Sequence, residues 1–459
     1  MLRSIAFSAI VLPLLAVTAS GKPFVGVLLW SWVSFMSPHR MMYGFASDIP
    51  WAMITFLVTL VGCLMAREPR RLPRDAVSVL LVLFAIGVSL TSLVAISSPE
   101  RVFARWDKVM KIIAGVLLTR ALATDADRIH ALLWMMAISL GFYGVRGGGF
   151  TLLTGGGNRV LGPRDTMIAD RNHLAVALLF VLPLMNHLRL QSKHAIVRLG
   201  IVAAMVLTLF AAIGTQSRGA LVAFVCAGFV LWLRSRGKIL SGLSIGLVGA
   251  AVLAFMPESW EERMRSIIDY QDDASAMGRV RIWEASLRIA LARPLTGGGF
   301  QAMYEQWIVD RYLPGVLARA AHSIWFETLG EHGFIVFAIW LGILIAGFLY
   351  AARLVRLGRA NPRHAWVETL GRMSQVSLVA YAAGGSFLSL QYWDGYLTLV
   401  SLLTAAHQLV AAPAAGRRAV AEGWRRATTT SAVSSPAPAA RPAAARSLRT
   451  TSWRTRAAP

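Results

Sequence analysis

The chain has 459 residues, 56% of them apolar and 15% charged, with a mean hydropathy of +0.57. A soluble domain cannot bury so much hydrocarbon, so the composition excludes a soluble globular protein and identifies an integral membrane protein. The net charge of +23 is scattered over short connectors and a terminal tail, which argues against a nucleic-acid partner, and Cys63 and Cys226 both lie in apolar runs, which argues against a disulfide framework or a thiolate metal site.

From the N-terminus, Ser4–Ser20 has the look of a signal peptide, but Gly21–Pro23 leads straight into a second apolar run, Phe24–Met36, as in an uncleaved polytopic chain. The two runs either both span, leaving the N-terminus outside, or form one span or a re-entrant hairpin, leaving it inside. Further runs such as Ala76–Ile96, Leu199–Ile213, Ile239–Met256 and Phe334–Ala352 span or nearly span a ~30 Å hydrocarbon core. None alternates with period two, so the predicted fold is all-α: a polytopic bundle of about 12 to 13 transmembrane helices with one long, partly helical outer loop.

Arginine and lysine mark the inner connectors Arg67–Asp75, Leu188–Arg198, Arg234–Lys238 and Arg353–Arg372. The Ala/Pro/Ser/Thr-rich basic tail, Ala414–Pro459, then also falls inside, where it is expected to be disordered and to contact anionic membrane lipids. Parity places Gly147–Asn172, Gln216–Gly219 and Pro257–Gly333 outside. Glu100–Lys111 falls outside too, although it carries Arg101, Arg105, Lys108 and Lys111, and is expected to be an interfacial helix lying flat.

Within the long outer loop, SAMGRVRIWEASLRIALARP predicts an amphipathic helix, with Ser275 as N-cap, Val280, Trp283, Leu287 and Ala290 on its apolar face, and Pro294 as its stop. Gly297–Gly299 then reads as a flexible turn. The other glycine clusters, Gly147–Gly149 and Gly155–Gly157, follow no strand and lack the Gly-Lys-Ser ending of a P-loop, so they read as mobile turns.

Three outer residues carry the chemistry. Arg218 stands in the tight turn Thr215–Gly219, on the side where the orientation bias disfavours a cation. It either snorkels as an anchor or binds an anion, since a guanidinium presents a fixed fork to phosphate oxygens at any working pH. Arg279 and Arg281 lie on the amphipathic helix but point about 200° apart, so both cannot face one small site. Arg279 shares a face with Trp283, whereas Arg281 precedes Glu284 and Arg288 in the pattern of a salt-bridged surface, so Arg279 is favoured and Arg281 is the lesser substrate-binding candidate. His322 precedes a span, and imidazole is the side chain whose ordinary pKa suits taking a proton from a hydroxyl near neutral pH; His332 is its rival. A second outer patch, GPRDTMIADRNH, holds Arg164, Asp165, Asp170, Arg171 and His173, and Arg171 is taken as a further substrate-binding candidate. No metal motif such as H-E-x-x-H occurs.

The stretches TQSRGALVA, GRVRIW…ARPLTGGGFQAMY and AHSIWFETLGEHGFIVF, in this order on one side of the membrane, resemble the O-antigen ligase and polymerase (Wzy/WaaL-like) superfamily of bacterial inner-membrane glycosyltransferases. The resemblance covers about Leu199–Tyr350 and divides the chain into N-terminal membrane helices (1–198), a ligase-like core (199–352, with its periplasmic loop 257–333), C-terminal membrane helices (353–413) and a basic tail (414–459). The first half, including SPHRMMYGFASDIPWA, resembles more narrowly the O-glycosylation ligases associated with exosortase systems.

The resemblance implies a donor glycan on undecaprenyl pyrophosphate, a hydroxyl acceptor on a protein or glycolipid, and inverting transfer at the periplasmic face without a metal or other cofactor. It also implies that Arg218, in the S-R-G turn, and Arg279, four before the loop tryptophan, hold the pyrophosphate. His322, which opens the H-N-x-x-L-x-x-x-x-E-x-G stretch, would be the base. Ser323 stands where asparagine is common. A Wzy-type polymerase uses the same donor and is not separated from a ligase by these residues. A flippase or transporter would place ionisable residues along a midplane path, a pattern the sequence does not show.

Overall fold

The computed structural model describes all residues except 43, 67–73, 236, 259, 261–273 and 412–459, and omits the side chains of 244, 245, 248, 251–253, 274 and 275. The expected disordered tail therefore lies outside the described residues. Among those described, the chain forms fifteen α-helices and no strand, the all-α bundle that the apolar runs predict. In order they are α1 (Leu2–Ala19), α2 (Pro23–Met36), α3 (Trp51–Met65), α4 (Ala76–Leu93), α5 (Pro99–Leu122), α6 (Ala126–Leu153), α7 (Arg171–Gln191), α8 (Ala195–Gly214), α9 (Arg218–Arg234), α10 (Lys238–Phe255), α11 (Ala274–Ala292), α12 (Gln306–Tyr312), α13 (Ile324–Ala360), α14 (Ala365–Gly385) and α15 (Asp394–Ala411).

Local sequence sets many of the starts. Asp75, Asp125, Asp170 and Ser217 cap α4, α6, α7 and α9 by accepting backbone N–H bonds, and prolines open α2 and α5. Among the described residues, six helices are long and apolar enough to cross a membrane, namely α1, α4, α6, α7, α8 and α13. The expected 12 to 13 spans require further helices, among them α10, which carries the apolar run from Ile239, and the shorter apolar α2 and α3.

Three sequence expectations are corrected. Gly147–Gly149 is not a turn but part of α6, and the segment expected outside begins only after Leu153. The glycines serve close helix packing: a Cβ on Gly148 would stand 2.0 Å from the Leu207 carbonyl oxygen of α8. Glu100–Lys111 is not a separate flat helix but the first half of α5, held in the bundle by buried Val102 and Val109 and continuous with buried Ile112, Ile113 and Val116. In α11 the buried side chains are Ile282, Ala285, Ser286, Ile289 and Ala290, while Val280 and Leu287 are exposed and Ser275 lies inside the helix. The true core stripe is thus set about one position away from the expected one, because packing on α13 chose the isoleucines.

The Gly297–Gly299 turn is also tighter than predicted. Helix α13 breaks at Gly333 (φ 74°, ψ −174°), which leaves carbonyls upstream of the break without helical partners. The amides of Gly298 and Gly299 donate to the Gly330 and Glu331 carbonyls at 2.9 and 2.8 Å, and the Gly298 carbonyl accepts from Ile96 and Ser97. Gly297 has φ 59°, and a Cβ there would stand 2.6 Å from the Glu331 backbone. Gly297→Ala is therefore expected to cost more than about 1 kcal/mol from the left-handed conformation alone, read as a lower thermal midpoint of the purified protein.

Candidate active site

Several of the residues expected outside, Arg171, Arg218, Arg279 and His322 among them, lie at the end of the bundle where α6, α8 and α14 finish and α7, α9 and α13 begin. Helix α8 closes at Gly214, Thr215 Oγ1 donates to the Ala212 carbonyl at 2.6 Å, and Gln216 adopts a left-handed φ of 54°. Ser217 then caps α9, of which Arg218, half-buried, is the first residue. Gln216 organises the turn: its amide Nε2 donates to the Gly156 carbonyl at 3.0 Å, its Oε1 accepts from Arg159 at 3.3 Å, and its carbonyl accepts from Arg171 at 3.3 Å. Arg159, Arg171 and Arg218 thus converge on one turn, beside the N-termini of α7 and α9, where the positive ends of the helix dipoles favour an anion.

A chain of contacts joins this turn to the long loop. Gly219 abuts Phe387, since a Cβ on it would lie 3.3 Å from the Phe387 Cβ. The Phe387 ring is 6.4 Å from that of Trp283, which stacks on Phe326 at 5.3 Å and 8°. Trp283 Nε1 donates to the Ala321 carbonyl at 2.7 Å, fixing the backbone next to His322. Arg279 lies one turn before Trp283 on α11 and is half-buried; the Arg319 guanidinium lies over neighbouring Gly278. Arg281 is exposed, beside the Glu284–Arg288 pair at 2.6 Å, and is not drawn into this group.

His322 has a left-handed φ of 47°, and its Nδ1 is buried without a hydrogen-bond partner. Burial pulls its pKa down to about 4, with Arg279, His173 and Arg319 acting in the same direction and Asp170 opposing them. The ring is therefore neutral at neutral pH, the form that accepts a proton. Asp170 is held below the usual carboxylate range: burial works against its charge, but the His173 imidazole at 3.4 Å and hydrogen bonds from the Asn172 backbone and side-chain amides outweigh it. The second outer patch thus divides. Asp170, Arg171 and His173 adjoin the cluster, whereas Asp165 is exposed and faces Arg40 at 3.9 Å.

His332, the rival imidazole, is fully buried with both nitrogens engaged, by Thr91 Oγ1 at 2.7 Å and the Tyr392 hydroxyl at 2.8 Å. The Ser323 hydroxyl makes no hydrogen bond among the described residues. Sequence reasoning missed Arg319 and two buried carboxylates on α13. Glu327 pairs with Ser389, and Glu331 accepts from the Tyr392 hydroxyl at 2.5 Å and the Gln301 amide at 2.7 Å. Their spacing of four residues at the start of a span was the available signal.

Residues 203–341 match the O-antigen ligase family. This match supports a ligase- or polymerase-type glycan transferase with a lipid-linked donor in a multi-pass membrane protein, and the matched region includes Arg218, Arg279, Arg319 and His322. Residues 2–193 match a family of unknown function (DUF5935). No curated protein matches the chain.

Proposed function

We propose that the protein transfers a glycan from undecaprenyl pyrophosphate to a hydroxyl acceptor at the outer face of the bacterial inner membrane, in O-glycosylation or surface-polysaccharide assembly. The observation that carries this reading is the continuous contact path from the Arg218 turn through Phe387 and Trp283 to the backbone at His322, with Arg279 one turn from Trp283. Arg218 and Arg279 bind the pyrophosphate, with Arg171 adding charge behind the Gln216 turn, and His322 is the base.

In the transfer step His322 takes the acceptor hydroxyl proton, the acceptor oxygen bonds to the anomeric carbon, and the bond from that carbon to the pyrophosphate oxygen breaks. The electron pair leaves with the lipid pyrophosphate, and the anomeric centre inverts. Negative charge grows on the leaving oxygens, where fixed guanidinium groups stabilise it most, each donor contributing roughly 3 kcal/mol. The cations stand in and beside loops at one bundle end, which supports surface catalysis over a transport path. The narrower resemblance to exosortase-associated ligases belongs to this proposal and is tested by the acceptor. Deleting the gene and following lipid-linked glycan and exported glycoconjugates by mass spectrometry separates the acceptors: a glycoprotein loses its sugar for an O-glycosylation ligase, whereas a shortened polymer signals a polymerase. Unchanged glycans on all of them would refute the proposal.

Trp283 offers a gentler probe. Trp283→Phe keeps a ring on Phe326 but removes the bond to the Ala321 carbonyl. Transfer is expected to slow several-fold with a stability loss of only about 0.5 to 1.5 kcal/mol, checked by paired activity and thermal-unfolding measurements.

A further inference from the structure

Helix α13 does not run straight through the bundle. Trp325 and Trp340 stand fifteen residues apart on it, roughly 22 Å along a straight helix, yet their rings meet edge to face with centroids 5.4 Å apart. The break at Gly333 therefore turns the segment before it, residues 324–332, across the end of the spanning part. Helix α11 runs alongside that segment. Trp283 stacks on Phe326, a Cβ on Gly330 would stand 2.9 Å from the Ser286 Cβ, and the Pro294 carbonyl accepts from the Phe334 amide at 2.8 Å. Just past α11, Arg293 Nη2 donates to the carbonyl of Val94, at the end of α4, at 2.6 Å. So α11 lies across the end of the bundle, at the level where α4 and the spanning part of α13 emerge.

The helix carries a second apolar stripe besides the buried one. Leu287 and Leu291 stand one turn apart on it and Leu295 just beyond its end, and the last two are each 63% exposed. This end of the stripe adjoins Leu90, Leu93 and Val94 of α4 and Phe334 and Ile335 of α13, all exposed apolar residues on helices long and apolar enough to span, where hydrocarbon is the surrounding solvent. The adjoining side of α11 exposes Arg281, Glu284 and Arg288 instead. We propose that α11 lies on the membrane surface at this end of the bundle, with Leu287, Leu291 and Leu295 inserted among phospholipid acyl chains and Arg281 and Arg288 at headgroup level. An apolar stripe bordered by arginines suits that boundary, since the guanidinium ends stay wet while the leucines leave water. Arg279 stands two turns before Leu287 on the same helix, so the depth of the stripe sets the depth at which Arg279 meets a lipid-borne pyrophosphate. That consequence rests on the proposed glycan transfer; insertion of the stripe does not.

The test uses the full chain in nanodiscs of phosphatidylethanolamine and phosphatidylglycerol. Spin labels are attached singly through Leu291→Cys, Leu295→Cys and, for comparison, Arg281→Cys and Glu284→Cys, in a chain with Cys63→Ser and Cys226→Ser. Relaxation is compared between oxygen, which concentrates in hydrocarbon, and a water-soluble nickel chelate. Oxygen is expected to dominate at 291 and 295, and nickel at 281 and 284. Nickel dominating at 291 and 295 would put the stripe in water and overturn the proposal. Poor access of both reagents there would mean that protein, such as a second copy of the chain, covers the stripe, and would overturn it equally. Should the serine background fold poorly, a benzophenone side chain replacing Leu291 in the chain with both native cysteines gives the same decision: crosslinks to phospholipid support insertion, and crosslinks to protein overturn it. Leu291→Ser with Leu295→Ser should then raise the KM for a lipid-linked donor several-fold with kcat nearly unchanged. An unchanged KM with the labels in lipid would overturn the consequence for Arg279 alone. A wild-type chain that transfers no glycan would sink the transfer reading and leave the label result standing.

Discussion

Replacing Arg218 with alanine is expected to lower glycan transfer by about 10²-fold or more while the protein still folds into the membrane. Arg218 opens α9 at a turn whose conformation is held by other groups: Ser217 caps the helix, and Gln216 binds Gly156, Arg159 and Arg171. Removing the guanidinium therefore takes away charge and a forked donor without removing the residues that shape the turn. Arg218→Lys keeps the charge but loses the fork, so it should recover only part of the activity. The measurement is in vitro transfer from a purified lipid-linked donor, with membrane yield and thermal midpoint as controls. Wild-type transfer by Arg218→Ala would end the pyrophosphate role and leave the anchoring alternative.

For His322→Ala the expected result is loss of transfer by about 10²- to 10⁴-fold with donor binding retained, since a base acts on the acceptor proton and not on the pyrophosphate. The pH profile gives a second signature. In the free protein, burial and Arg279 pull His322 down to about 4, so the acid limb of kcat/KM should lie near that value and the rate should be level through neutral pH. A bound pyrophosphate adds negative charge and offsets Arg279, which favours imidazolium, so the acid limb of kcat should lie at higher pH than that of kcat/KM. Coincident limbs, or a His322→Ala variant that no longer binds donor, would move His322 from base to binding group.

Much of the fold was legible in the sequence. The apolar runs and the absence of alternation specified a helical membrane bundle, because backbone in a bilayer must satisfy its own hydrogen bonds within each segment. Arg218, Arg279 and His322 stood out because each is a costly residue at a membrane rim or on an amphipathic loop helix. Arg319 did not, since a lone arginine before Ala-Ala-His looks like any solvated loop cation until it is seen over Gly278. Arg105 and Lys108 were noticed as an anomaly of charge and misplaced on a surface helix, because helical spacing alone does not say which face a neighbouring element will cover.

What the amino-acid order determined by itself was local: where helices start at Asp or Ser caps, where glycine or proline interrupts them, and which segments are greasy enough to span. What only the tertiary structure decided was company. Gly148 became a helix-packing contact, Gly297–Gly299 the seal on a broken helix, His332 a hydrogen-bonded core residue, and His322 an imidazole with a buried nitrogen lacking a hydrogen bond among the described residues, in range of Arg279 from α11 and Arg319 from its own loop. The reason is range. Caps, turns and hydropathy act within a few residues, whereas burial, electrostatic shifts and close packing arise between residues whose separation along the chain says nothing of their distance in space.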